Sequence, residues 1–495
     1  MEGGIMKRRD FLRASACATA AWLPFQRAWG ADQPAVTLSG SQISLREKDI
    51  ADLAARLQGE LLLPTHGRYE QARKVWNGSI DKRPALIASC IGASDVMHAV
   101  NFAREHRLLT AVRAGGHSTS GKSTCDGGLM IDLSPMRGVR VDTATRTAYL
   151  EPGTLLGQLD RECAAFHLAT TAGTVSYTGA AGLTLGGGFG RLGSRFGLAC
   201  DNLKGADVMT ANGKLVHASE TENPELLFGL RGGGGNFGVV TSLEYQLHPM
   251  DPIILGGILN WPAQHLREVL EFYADYAPRK PDELGIDLFL RSAPGAQPGV
   301  SIVVCWSADH AAGEKAIEPL RRLARTAQGT VGPMPYVRLQ SIFDAGFPDG
   351  RKYYQKSGLV STLPQKSVDR LIEIIQTPRS HPLTMQLQGM GGAAHRVKPD
   401  ATAFFHREAL WDLNLITGWD DPDPAVAERC ISGMRAVWKD VEPLTHGFYV
   451  NSRHEDDLKA FRDNYGDNYP RLVKLKNQYD PMNLFRLNAN VVPTV

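Results

Sequence analysis

The sequence predicts an α+β chain made of two intergrown parts, and three observations carry the prediction. Glycine is abundant, 51 of 495 residues, and clusters at 115–116, 179–193 and 232–238, between short strand-like runs. Such clusters let backbone approach a ligand closely. From Ile253 to about Glu442 the texture changes to apolar strand-like runs alternating with helical periodicity, without glycine-rich loops. That pattern reads as an antiparallel sheet with helices on one face. The stretch Tyr465–Val492 is polar and aromatic, without flexible-tail composition, and is expected to return and pack on the first part. The divisions are residues 1–31, 45–250, 251–442 and 443–495.

Residues 1–31 read as a targeting segment. Lys7-Arg8-Arg9-Asp10-Phe11-Leu12-Arg13 is a twin-arginine signature, followed by the small-residue run Ala14–Ala21 and a cleavage region at Ala28-Trp29-Gly30-Ala31. This predicts a periplasmic or secreted protein and the twin-arginine export machinery as a partner. The apolar run is too short for a permanent span, and Cys17 lacks the large aliphatic residue of a lipoprotein signal, so no stable membrane anchor is expected. Twin-arginine export carries folded proteins, commonly with a cofactor already bound. The six cysteines after Cys17 form no C-x-x-C pair and no zinc spacing, so free buried thiols and no metal site are expected. A net charge of +2 gives no argument for nucleic acid.

Taken in order, Ile50–Leu62 has helical spacing. Pro84–Ala88 reads as a strand, Ser94 and Asp95 as caps for a helix Val96–His106, and Leu108–Arg113 as a second, parallel strand. The loop that follows, Ala111-Val-Arg-Ala-Gly-Gly-His-Ser-Thr-Ser-Gly-Lys-Ser123, contains a literal phosphate-loop match over Gly116–Ser123. Phosphate-loop chemistry needs a helix immediately afterwards. The chain instead runs Thr-Cys-Asp-Gly-Gly into a strand over 128–133, so nucleotide hydrolysis is only a remote alternative. Strands are expected over 139–141 and 146–150, and Thr154 is the expected cap of a helix Leu155–Phe166. An Asn212-Gly213 hairpin follows, then a helix Glu225–Leu230 and a strand Val239–Leu247. Of two G-x-G-x-x-G matches, 188–193 and 233–238, neither sits in a βαβ context, and the second reads as a tight turn. In the second part, strands are expected at 253–260, 285–291, 300–306 and 385–390, with helices at 263–276 and 311–326.

Arg113-Ala-Gly-Gly-His-Ser118, Gly173–Gly190, Gly197-Leu-Ala-Cys-Asp-Asn202, Arg231–Gly238 and Asn468–Arg486 together resemble the berberine bridge enzyme-like oxidases of the vanillyl-alcohol oxidase superfamily. The resemblance implies a PCMH-type FAD-binding domain formed by 45–250 and completed by 443–495, interrupted by a substrate-binding domain at 251–442. It implies FAD contacts at Arg113, Gly115, Gly116, His117, Ser118, Gly179, Gly182, Gly186, Gly187, Gly188, Gly190, Asp201, Asn202, Val240 and Asn451. In that family the histidine matching His117 is bonded to the flavin 8α-methyl group. The cysteine that forms a second tether in many relatives is Val175 here, so a singly attached FAD is expected. The valine associated with oxygen access is Thr178. Tyr449-Val-Asn451 resembles the Tyr-x-Asn motif beside the flavin, with Ser452 where a second tyrosine often stands. Tyr449 is the candidate base, a phenol whose pKa would be lowered. Gln386, Gln388, His406 and Tyr354 are candidates for the substrate cleft. The expected activity is an FAD-dependent oxidase removing hydride from a C–OH or C–N carbon of a small molecule, with O2 as acceptor. A dehydrogenase using another acceptor is the alternative.

Overall fold

A computed structural model describes residues 32–454 and 457–495; the expected export signal lies outside them. Among the described residues, three sheets organise the chain. The first has four strands in the order Glu60–Leu62, Leu86–Ser89, Leu129–Asp132, Thr110–Arg113. Leu129–Asp132 lies between Leu86–Ser89 and Thr110–Arg113 and runs parallel to both, so the two expected parallel strands are not neighbours. The helix between them, Ala93–Glu105, buries Val96, Ala99, Val100 and Ala103. Its Asp95 carboxylate does not cap that helix: it accepts the backbone N–H groups of Gln58, Gly59 and Ile91. The expected 50–62 helix ends at Arg56, and Glu60–Leu62 joins the sheet instead.

The second sheet is antiparallel, with Leu215–Ser219, Leu203–Met209, Val239–Gln246, Thr147–Leu150 and Val139–Asp142 in that order. Gly213, at φ +76°, makes the expected hairpin turn. The helix Leu156–Ala164 starts on Leu155, whose N–H is accepted by Gln158 at 2.9 Å, while Thr154 donates to the Gly138 carbonyl.

The third sheet is wholly antiparallel and has seven strands: Val331–Pro335, Ile253–Pro262, Gly299–Trp306, Leu284–Ser292, Leu383–Gly389, Trp411–Trp419 and Lys352–Val360. Three of these, at 331, 352 and 411, and the helices Gln365–Gln376 and Pro424–Val441 were not anticipated from sequence. The two-residue period of a strand gives this sheet two chemically different faces. Leu288 and Leu290, Met385 and Leu387, and Leu413 and Leu415 pack with Leu270, Leu371 and Val437 of the covering helices. Gln386, Gln388, Asp412 and Asn414 point the other way, toward the first part of the chain.

The segment after residue 465 does return to the first part. Lys476, wholly buried on the helix Tyr469–Tyr479, donates to Asp480 at 2.7 Å and to the carbonyls of Asn236 and Phe485. Asp480 in turn accepts the N–H groups of Leu484 and Phe485. Asn236 holds Gly233, Ala489 and Val491 by side-chain hydrogen bonds. Gly233–Gly235, Asn236 and residues 485–491 thus form one bonded corner.

Candidate active site

The His117 loop owes its shape to two glycines. Gly116 has φ +68°, a left-handed conformation costly for other residues. Gly115 lies back to back with Gly179: a Cβ on Gly115 would stand 2.3 Å from the Gly179 Cα. This contact brings the loop carrying Val175 and Thr178 against the loop carrying His117. The His117 ring stacks on Trp76, centroids 4.2 Å apart, and Tyr353 stacks on Trp76 at 4.2 Å. Asn77 ties the two parts together here, donating to the Thr119 and Tyr353 carbonyls and accepting the Tyr353 N–H. Burial pushes the His117 pKa down to about 4, so the imidazole is neutral near pH 7, and its Nε2 is buried without a partner. A neutral imidazole keeps a nucleophilic lone pair.

A long open cavity runs between these loops, the 485–489 corner and the inner face of the third sheet. Gly115, Gly116, His117, Ser118, Gly179, Gly182, Val240, Tyr449 and Asn451 line it, as do Val175 and Thr178. Its walls fit an extended dinucleotide. A Cβ on Gly182 would meet nothing within 4 Å, and one on Gly235 only the Asn488 amide at 3.9 Å, so backbone itself faces the cavity. Thr119 Oγ1, Ser123 Oγ and Asn488 Oδ1, all on the wall, are buried polar atoms without partners. Buried polar groups of that kind call for hydrogen-bonding partners.

Other expected contacts lie off the wall and shape it from behind. Arg113 donates to the Ala72 carbonyl and lies 3.7 Å from Asp132. Gly186 backs onto Asn451, Gly187 onto Phe404, Gly188 onto Ala199 and Gly190 onto the Ala172 carbonyl. Asp201 is paired with Arg407 at 2.7 and 2.9 Å, and Asn202 donates to the Phe196 and Leu198 carbonyls and bonds His248. No helix follows Ser123; Lys122 instead donates to the Asn488 carbonyl at 3.1 Å. Cys163 and Cys200 are buried in the core.

On the sheet side, Gln386 and Gln388 line the cavity, joined by Gln355, Asp412, Asn414 and Ile416, whereas His406 and Tyr354 do not. Asp412 is 1 % exposed and its Oδ1 has no partner. Burial raises its pKa to about 7, against the pull of nearby Ser357. Tyr449 corrects the expectation of a lowered phenol. Burial pushes its pKa well up, and the Asp412 charge adds to that against the bond from Asn451. Its hydroxyl donates to the Leu183 carbonyl at 3.2 Å and accepts from Asn451 at 2.8 Å. A carboxyl group, Asp412, faces the same cavity. Its sequence signal was Trp411-Asp-Leu-Asn-Leu415, an apolar/polar alternation in which the polar residues face a cavity instead of solvent.

Comparisons with known proteins agree with this geometry. A family model described as an FAD binding domain matches residues 84–219, and one described as berberine and berberine like matches 448–492. An FAD-linked oxidoreductase of Dictyostelium discoideum is 31% identical over 453 residues, 90% of this chain and 97% of the relative. A chitooligosaccharide oxidase of Gibberella zeae is 28% identical over 87% of this chain and 92% of its own. The crystal structure of 6-hydroxy-D-nicotine oxidase from Arthrobacter nicotinovorans superposes with a TM-score of 0.82 at 29% identity, covering 88% of this chain and 98% of that one. The chain belongs to the berberine bridge enzyme-like family and is an FAD-linked oxidoreductase.

Proposed function

We propose that this protein is an exported oxidase of small hydroxylated or amine substrates, with FAD attached once, through His117, and with Asp412 as the base. FAD held there would supply the hydride acceptor for the substrate carbon and the route of the electron pair to O2, with hydrogen peroxide as the product. The neutral, unpartnered His117 imidazole beside the cavity supports the attachment, and Val175 offers no thiol for a second. Asp412 carries the mechanistic reading: a buried carboxylate with a pKa near the working pH and a free oxygen facing the cavity. It takes the O–H or N–H proton as the adjacent C–H bond breaks. Gln355, Gln386, Gln388 and Asn414 offer amides that hydrogen-bond substrate polar groups, while Phe289, Phe343 and Ile416 supply apolar contact. The twin-arginine signature at 7–13 supports export. Relatives named as a chitooligosaccharide oxidase and a nicotine oxidase bracket the substrate range. The deciding experiment is peroxide formation, with matched oxygen consumption, across oligosaccharides, aromatic alcohols and secondary amines. Turnover of any of these only with a quinone or dye would establish a dehydrogenase instead.

A further inference from the structure

A second site lies away from the cavity, where the 402–408 turn meets the segment leading to Tyr449. His406, Glu408 and His446 present ligand atoms that all lie within 4.8 Å of one another. His406 Nδ1 is 3.4 Å from Glu408 Oε1, and His446 Nε2 is 2.9 Å from the same oxygen. These separations approach the ~3.4 Å edge of a tetrahedron with metal–ligand bonds of about 2.0–2.1 Å. No sequence spacing announces the set, because tertiary packing brings 406 and 408 against 446.

The hydrogen bonds fix the His406 tautomer. Asn464 Oδ1 accepts the Phe448 N–H at 2.8 Å, which identifies it as the oxygen. The same oxygen is 3.1 Å from His406 Nε2, so that nitrogen is the donor. The neutral ring therefore carries its lone pair on Nδ1, 3.4 Å from a Glu408 carboxylate oxygen, and this pair is reconciled either by a second ring proton shared with the carboxylate or by a cation bound to both. A histidine whose far nitrogen donates to an amide oxygen while its near nitrogen faces a carboxylate has the arrangement that supports metal ligands. The ring packs closely on Gly447, at φ +63°, where a Cβ would stand 2.2 Å from Nε2, and this contact helps hold its orientation. Glu408 is exposed and His446 half-exposed, and Ser361 Oγ hydrogen-bonds His446 Nε2 directly at 3.2 Å, so an ion taking that nitrogen would displace the Ser361 bond.

We infer that His406, Glu408 and His446 bind a divalent cation of the zinc class, pinning the 402–408 turn to the segment that carries Tyr449. The two His nitrogens and one carboxylate oxygen suit Zn2+. The test is Co2+ titration of chelator-treated, flavin-loaded protein, read as a tetrahedral d–d band to the red of flavin absorption. Melting with and without Zn2+ accompanies it. The expected result is about one ion per chain, a Zn2+-dependent rise in melting temperature of about 2–5 °C, and affinity reduced about tenfold or more in both Glu408→Gln and His446→Ala. Both substitutions fall on partly exposed side chains, so the variants are expected to fold, which their flavin spectrum checks. Absence of a tetrahedral band in the wild type, or binding unchanged in both variants, overturns the site.

Discussion

Asp412 shows how one side chain can serve two opposed demands. A buried acid whose pKa rises to about 7 binds its proton more tightly folded than unfolded. Between the unfolded carboxylate range near pH 4 and pH 7, the native state holds more protons, so stability falls as pH rises and then levels off. Activity runs the other way, since only the ionised form accepts a proton. Asp412→Asn is therefore expected to lower kcat by about 10²–10⁴ and to flatten the kcat/KM limb near pH 7. The same variant should melt higher than wild type at pH 8. A variant that loses activity but keeps the limb would assign the base elsewhere. At His117, replacement by Ala should leave a protein whose flavin is released by acid precipitation, whereas wild type keeps its fluorescence in the pellet. These two residues also mark the limit of the sequence. His117 is announced by glycines that only a backbone contact requires, while Asp412 lies in an ordinary alternating strand and becomes distinctive only when its face meets a cavity.

At the scale of elements, the third sheet separates stability from specificity by residue parity. Leu413→Ala, on the helix side, is expected to cost about 2–5 kcal/mol in denaturant unfolding. Asn414→Ala, one residue on and across the sheet, should change KM far more than the unfolding midpoint. The loops behave differently. Gly115→Ala drives a methyl into the Gly179 backbone, so loss of flavin retention with the third sheet intact is the expected outcome. The helical and strand periods over 253–306 were readable because long apolar runs dominate them. Lys352–Val360 was not, since Tyr-Tyr-Gln-Lys-Ser-Gly carries buried polar residues, among them Gln355, which lines the cavity and donates to Ser452. Similarly, Gly234 and Gly235 look like a turn in isolation, and their place on the cavity wall depends on residues 485–491, some 250 positions later.

For the whole molecule, the cavity belongs to no single stretch of chain. Its walls come from Trp76, 110–133, Pro152, 173–189, 234–240, Phe289, 343–416 and 449–489, and the buried Lys476–Asp480 pair locks the last of them. Lys476→Met leaves the Asp480 carboxylate buried and unpaired, a loss of about 3–5 kcal/mol in unfolding free energy. The broad architecture was legible because the glycine loops and the polar, aromatic 465–492 segment stand at opposite ends of an apolar insert. The junctions, where Asn77 and Asn236 each bind partners more than 200 residues away, were not. That corner at 233–236 and 485–491 also sets a clock. While a ribosome still holds residues 485–491, the cradle lacks a wall, so flavin capture must follow their emergence. Under the export proposed above, capture would also have to precede translocation.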